Sequence, residues 1–145
     1  MLKLSKKADY GLIAVKHLAT HDVVSACSAG DIAEVYGIST TLMAKVLQKL
    51  ARRGLVNAQH GSSGGYRLAR DPKMITALDV ITAIDGPLFI TSCITTRGEC
   101  YQSSTCTVRE PLRRVNDSIL QVLNTVTISQ MSEEPEQPAL VPLQG

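Results

Sequence analysis

The chain has 145 residues, enough for one domain with an extension, and its 44% hydrophobic but only 3% aromatic content implies an aliphatic core. No apolar run approaches a membrane span, and Met1-Leu2-Lys3-Leu4-Ser5-Lys6-Lys7 lacks a signal peptide's apolar segment and cleavage site, so a cytoplasmic protein is expected. The net charge of +2 hides an asymmetry: residues 1–73 carry eleven Lys and Arg against five Asp and Glu, a net of +6, and residues 74–145 carry a net of −4. The front half is the one suited to a polyanion.

The segment from Ser5 to Thr20 places Leu12, Val15 and Ala19 on one face, with Ile13, Ala14 and Leu18 beside them, which predicts a largely buried helix. Asp9 lies in its first turn, where a carboxylate complements the helix dipole. A loop from His21 to Cys27 follows, and Cys27 is expected to be a packed residue. Ser28 and Asp31 then form a start resembling a capping box for a second helix, with Ile32, Ala33 and Tyr36 on its inner face. Gly37 breaks this helix, and Ser39 is placed to cap a third running to about Arg53.

In the third helix Leu42, Met43, Val46, Leu47 and Leu50 make one apolar stripe. Its opposite face offers Thr40, Thr41, Ala44, Lys45, Gln48, Lys49 and Arg52. Two helices joined by a short turn, the second with a polar and basic outer face, match a helix-turn-helix. Leu55 to Gln59 and Tyr66 to Ala69 read as two short strands around the glycine-rich turn His60-Gly-Ser-Ser-Gly-Gly65, which is the pattern of a wing. At its tip, backbone amides can come close to phosphates, and Arg67 adds charge. No Walker lysine follows and no helix starts there, so the glycines do not make a nucleotide loop.

Asp71-Pro72 marks a boundary. Thr76 and Asp79 repeat the capping logic for a short helix lined by Leu78, Ile81 and Ile84, closed by Gly86-Pro87. The next stretch gathers Cys93, Cys100 and Cys106, three of the four cysteines, within fourteen residues. Thiolates are soft ligands for iron, zinc or copper, and a pliable loop can wrap several around one centre. The gaps of six and five residues are wider than in zinc knuckles or thioredoxin-type motifs. A metal or cluster site is expected, with packing or disulfide formation as the plainer alternative.

Beyond it, Val108, Leu112, Val115, Ile119, Val122 and Val126 fall at steps of 4, 3, 4, 3 and 4, the seam of a long dimerisation helix. The tail from Met131 to Gly145 has three Pro, three Glu and no periodicity, and is expected to be disordered. The organisation is thus a mainly α chain: a winged helix-turn-helix DNA-binding domain over 1–73, a cysteine loop and dimerisation helix over 74–130, and a disordered tail over 131–145.

Asp9-Tyr10-Gly11-Leu12, Gly54-Leu55-Val56, Gly64-Gly65-Tyr66-Arg67-Leu68-Ala69 and the Cys93/Cys100/Cys106 loop before a long helix resemble, in that order, the Rrf-two family of winged-helix transcription regulators. That family includes the iron–sulphur sensors IscR and NsrR, and the details are most similar to the branch associated with control of SUF iron–sulphur assembly genes. The resemblance spans residues 1 to about 130. It implies a homodimer on a palindromic duplex operator and an iron–sulphur cluster, 2Fe-2S favoured over 4Fe-4S, held by Cys93, Cys100 and Cys106. In IscR-like members a histidine three residues past the last cysteine is the fourth ligand; here that position is Arg109, which cannot ligate. In NsrR-like members an aspartate near the partner's N-terminus completes the site, and Asp9 falls there; Glu99, Glu110, Cys27, water or a small thiol are the other possibilities. The glutamate of the IscR reading helix is replaced by Ala44, so IscR's operator preference does not transfer.

The expected DNA contacts are Ser39, Thr40, Thr41, Lys45, Gln48, Lys49 and Arg52 on the third helix, with Gly64, Gly65 and Arg67 on the wing. The leading reading is a DNA-binding regulator, a repressor or one with dual action, that senses an iron–sulphur cluster. Rival readings keep DNA binding but make the loop a reversible thiol switch or a zinc site. A non-DNA interaction scaffold and a cysteine-dependent enzyme belong to other classes; no Ser-His-Asp or Cys-His spacing, paired carboxylates or phosphate loop stands out, and His17, His21 and His60 read as incidental.

Overall fold

Ser5 opens helix α1 (Lys6–Thr20), its hydroxyl accepting the Ala8 N–H at 3.0 Å and satisfying one of the amides a helix start leaves without a partner. The computed structural model describes residues 4–21, 25–61, 64–89 and 108–133. Helix α1 buries Ala8, Gly11, Ala14, Val15 and Leu18. At Gly11 it meets another helix so closely that an added Cβ would stand 3.1 Å from Ile84 and 3.2 Å from Val80. The glycine of the Asp9-Tyr10-Gly11-Leu12 motif therefore serves helix packing.

Ser28 and Asp31 form the full reciprocal capping box at the start of α2 (Ala29–Tyr36). Gly37 ends it in the left-handed region, φ 65°, and the N–H groups of Gly37 and Ile38 both return to Ala33 O. Ser39 caps α3 (Thr40–Arg52), whose Met43, Val46, Leu47 and Leu50 are buried. At its end Gly54, φ 74°, lets Leu55 N–H reach Leu50 O and its own N–H reach Ala51 O, a Schellman closure that turns the chain into the wing.

Strands β1 (Val56–Gln59) and β2 (Gly65–Leu68) pair antiparallel, Val56 opposite Leu68 and Gln59 opposite Gly65. One 3₁₀ turn (Pro72–Met74) leads to α4 (Ala77–Asp85), which has the expected Thr76–Asp79 capping box and ends at Gly86. The mainly α architecture with a two-stranded wing is as the sequence predicts.

Helix α5 (Arg109–Thr125) is followed by α6 (Ile128–Ser132), which the sequence reading did not anticipate. Between them the chain pairs back onto the segment before α4: Ala77 N–H donates to Val126 O and Ile128 N–H to Ile75 O, both at 2.8 Å. Ile128 is fully buried, and Met131 packs against the same core. The tail expected to begin at Met131 thus overlaps the last two residues of α6, Met131 and Ser132. Ile75, Val80, Ile84 and Ile128 share one core with Val15, Met43 and Leu47, so the boundary drawn at residue 73 is not a break in packing.

Candidate nucleic-acid interface and the flanks of the cysteine segment

The stripe that α3 buries dictates what it shows. Thr40, Thr41, Lys45, Gln48 and Arg52 are exposed along its outer face, together with Ser39 at its start, while Ala44 is half-buried. Helix α2 holds this face outward by burying its Ile32 and Ala33 in the same core as Met43 and Val46.

Lys49 differs from its neighbours. It is half-buried, and its ammonium donates to the Ile84 carbonyl at 3.3 Å, at the carboxyl end of α4 where a cation is favoured. A contact from Lys49 to a phosphate competes with that bond. Lys7, which the sequence reading did not select, joins Lys45, Gln48 and Arg52 around a shallow depression of about 160 Å³. The Lys6-Lys7 pair was visible in the sequence, but its position beside α3 follows from the packing of α1 on α3.

In the wing, Gly64 and Gly65 have structural reasons of their own. A Cβ at Gly65 would lie 2.5 Å from the Cys27 backbone, and one at Gly64 would lie 2.7 Å from Gln59 O. Cys27 pairs with Tyr66 through both of its backbone groups: its N–H donates to Tyr66 O at 3.1 Å, and its O accepts from Tyr66 N–H at 2.7 Å. The loop before α2 thus continues the wing's hydrogen bonding along the outer edge of β2, near its start. Arg67 is half-buried in β2, opposite Asn57.

Cys93, Cys100, Cys106 and Glu99 lie outside the described residues. What is described is where their segment leaves and returns. It leaves after α4, whose last residue Asp85 meets Ser5 Oγ and whose Ile84 carbonyl meets Lys49. It returns at Val108, the N-cap of α5, with Glu110 exposed in the first turn. Asp9 is exposed on α1.

Of the seam residues, Val115 (48% exposed) and Val122 (60%) are open, as is Val108, and Leu112 and Ile119 are half-buried. Val126 is half-buried just past the helix, where its carbonyl is used by Ala77. Val115, Ile119, Val122 and Leu123 line an apolar groove of about 430 Å³. No helix among the described residues is long and apolar enough to cross a membrane.

A winged helix-turn-helix with a basic reading face, followed by a cysteine segment and a long amphipathic helix, can be compared with known proteins. The sequence pattern of the Rrf2 (Rrf-two) family, described as iron-dependent transcriptional regulators, matches residues 4–134. The chain belongs to the Rrf2 family. It is 31% identical over 135 residues to the HTH-type transcriptional regulator IscR of Vibrio vulnificus, covering 93% of this chain and 80% of that one. Among solved structures it is similar to CymR, the global cysteine regulator of B. subtilis (TM-score 0.77, 30% identity, 91% of this chain and 97% of that one). It is also similar to IscR of T. potens (TM-score 0.71, 31% identity, 90% and 85%). These Rrf2 relatives are transcription regulators, not enzymes.

Proposed function

We propose that this Rrf2 regulator acts as a homodimer on a palindromic operator and that Cys93, Cys100 and Cys106 hold an iron–sulphur cluster, two-iron in preference to four-iron, whose state sets DNA occupancy. The observation that carries this reading is the anchoring of the cysteine segment. Its departure point, the end of α4, is hydrogen-bonded to the reading helix through Lys49–Ile84 and to the start of α1 through Ser5–Asp85. A shape change in the segment pulls on the two helices that orient the DNA-facing surface.

Three thiolates with a carboxylate make a donor set suited to iron, the carboxylate being the harder and more easily displaced member. Asp9, exposed on α1, supports a fourth ligand given to the partner's site. Such a cluster, when bound, supplies a centre that gains or loses electrons and that oxidants dismantle. The protein's own residues do the reading. Thr40, Thr41 and Gln48 face the base edges, Ser39, Lys45 and Arg52 the phosphates, and the wing with Gly64, Gly65 and Arg67 tracks the adjacent minor groove. The open face of α5 supports a symmetric pairing through Val115, Ile119 and Val122, which sets the two reading helices about one turn of DNA apart. In this reading, 1–73 reads DNA while 74–130 senses and dimerises.

Anaerobically purified protein should contain iron and inorganic sulphide and absorb in the visible. Replacing the three cysteines by serine should remove the colour and change promoter occupancy. If wild-type protein is colourless and iron-free under those conditions, the cluster is ruled out.

One observation favours a second reading. The chain is also similar to an oxidized form of Staphylococcus aureus CymR (TM-score 0.70, 25% identity), which supports a thiol switch at the three cysteines, with disulfide formation in place of a cluster. Mass spectrometry after mild oxidation, run beside DNA binding in metal-free buffer, separates the two.

A further inference from the structure

The second half of α1 and the loop after it bring together three side chains that the DNA-reading function does not use. His17 and His21 are four residues apart at the end of α1, their rings stacked with centroids 5.0 Å apart and planes within 19°. Cys27 approaches them from the α1–α2 loop. One ring nitrogen of each histidine and the Cys27 sulphur lie within 4.8 Å of one another.

Histidines at i and i+4 share a helix face, and that pair is available to any helix. The third donor is not. Cys27 is held by its two backbone bonds to Tyr66 and by burial, so the fold presents its sulphur from a separate segment. A tetrahedral zinc site holds N and S donors at about 2.0 to 2.3 Å, which sets them roughly 3.5 Å apart. The observed spread of up to 4.8 Å is wider than that, so a bound ion would draw the donors inward, and His21, being exposed, is the one free to move without disturbing the core.

The surroundings fit as well. The Tyr36 hydroxyl lies 3.0 Å from His17 Nδ1. With Nδ1–H donating there, Nε2 turns its lone pair outward, the outer-sphere arrangement common to metal-bound histidine.

We propose that His17, His21 and Cys27 form a binding site for a zinc-class divalent cation beside the start of β2, with no ligand drawn from the cysteine trio. Two imidazoles and one thiolate are a borderline-soft set, with the fourth position left to water. On binding, the Cys27 thiol gives its proton to solvent and the sulphur takes the metal; no redox change occurs. The bound ion joins the end of α1, through Cys27 the first residues of β2, and through Tyr36 the end of α2 just before the reading helix. It would fix the wing relative to α3.

The test uses cobalt(II) as the probe, added without oxygen to the full-length chain carrying Cys93→Ser, Cys100→Ser and Cys106→Ser. The expected result is one equivalent bound, with the visible bands of tetrahedral cobalt, a thiolate-to-cobalt band in the near ultraviolet, and displacement by zinc. His21→Ala, at an exposed position that leaves the core intact, should weaken binding by more than roughly tenfold, and Tyr36→Phe by about tenfold. Cys27→Ser should remove the thiolate band, and His60→Ala should change nothing. The site does not exist if the triple-serine chain binds no cobalt saturably, if binding lacks the thiolate band, or if His21→Ala binds as tightly as its parent.

Discussion

The hydroxyl of Ser5 lies 2.7 and 2.8 Å from the two carboxylate oxygens of Asp85 while it accepts the Ala8 N–H. One atom thereby caps the first helix and ties it to the residue from which the cysteine segment departs. Ser5→Ala should lower stability by about 1 kcal/mol, the usual cost of an N-cap. Asp85→Ala, which removes only an exposed partner, should cost less than half as much. Urea denaturation midpoints of the two variants would show the order, and an equal or reversed cost would mean that the cap does not dominate.

Two glycines should respond in opposite ways to alanine. At Gly65 the new methyl meets the Cys27 backbone at 2.5 Å, where no side chain can move aside, so Gly65→Ala should destabilise by about 2–3 kcal/mol and weaken DNA binding. At Gly30, inside α2, the nearest atoms stand 3.8 and 3.9 Å away, ordinary contact. Gly30→Ala should stabilise by a few tenths to about 1 kcal/mol. Thermal melts of both proteins would settle the contrast.

Charge removal on α3 should separate residues that look equivalent in sequence. Lys45→Ala and Arg52→Ala should each lower the slope of log affinity against log salt by about 1. Lys49→Ala should change that slope less, because its ammonium is bonded to Ile84 O, and should instead loosen α4 against α3. Fluorescence anisotropy on duplex DNA at several salt concentrations gives the slopes. A Lys49 slope change as large as that of Lys45 would show that Lys49 swings out to the phosphate.

Under the proposed pairing through α5, Val122→Glu should convert the dimer to a folded monomer. The side chain is 60% exposed on the open face of α5, so a carboxylate there costs little within one chain but repels its symmetric copy. Sedimentation equilibrium would report the mass and circular dichroism the helix. A variant that stayed dimeric would place the interface elsewhere.

Much of this arrangement was legible in the sequence because local chemistry decides it. The Ser28–Asp31 and Thr76–Asp79 boxes, the Gly37 break and the glycine after α3 are short-range signals, and the α3 stripe is a plain 3.6-residue pattern. What escaped depends on distant contacts. Helix α6 has five residues, too few for a period, and its Thr127–Gln130 box matters only because Ile128 fits beneath Ile75. The seam's regular spacing ran on to Val126, but its carbonyl belongs to the strap at Ala77. His17 and His21 looked incidental because nothing local shows that Cys27 comes back to them.

The short strap between Ile75–Ala77 and Val126–Ile128 has a wider consequence. The chain from α4 to α5 becomes a closed circuit whose two ends stand side by side, with α4 itself packed into the common core. Lengthening such a circuit is cheap, each doubling adding only about 0.6 kcal/mol of closure entropy. The link between α4 and α5 is therefore open to change in length, by evolution or by hand. Helix α4 and Ile128, at either end of it, keep their places in the common core throughout.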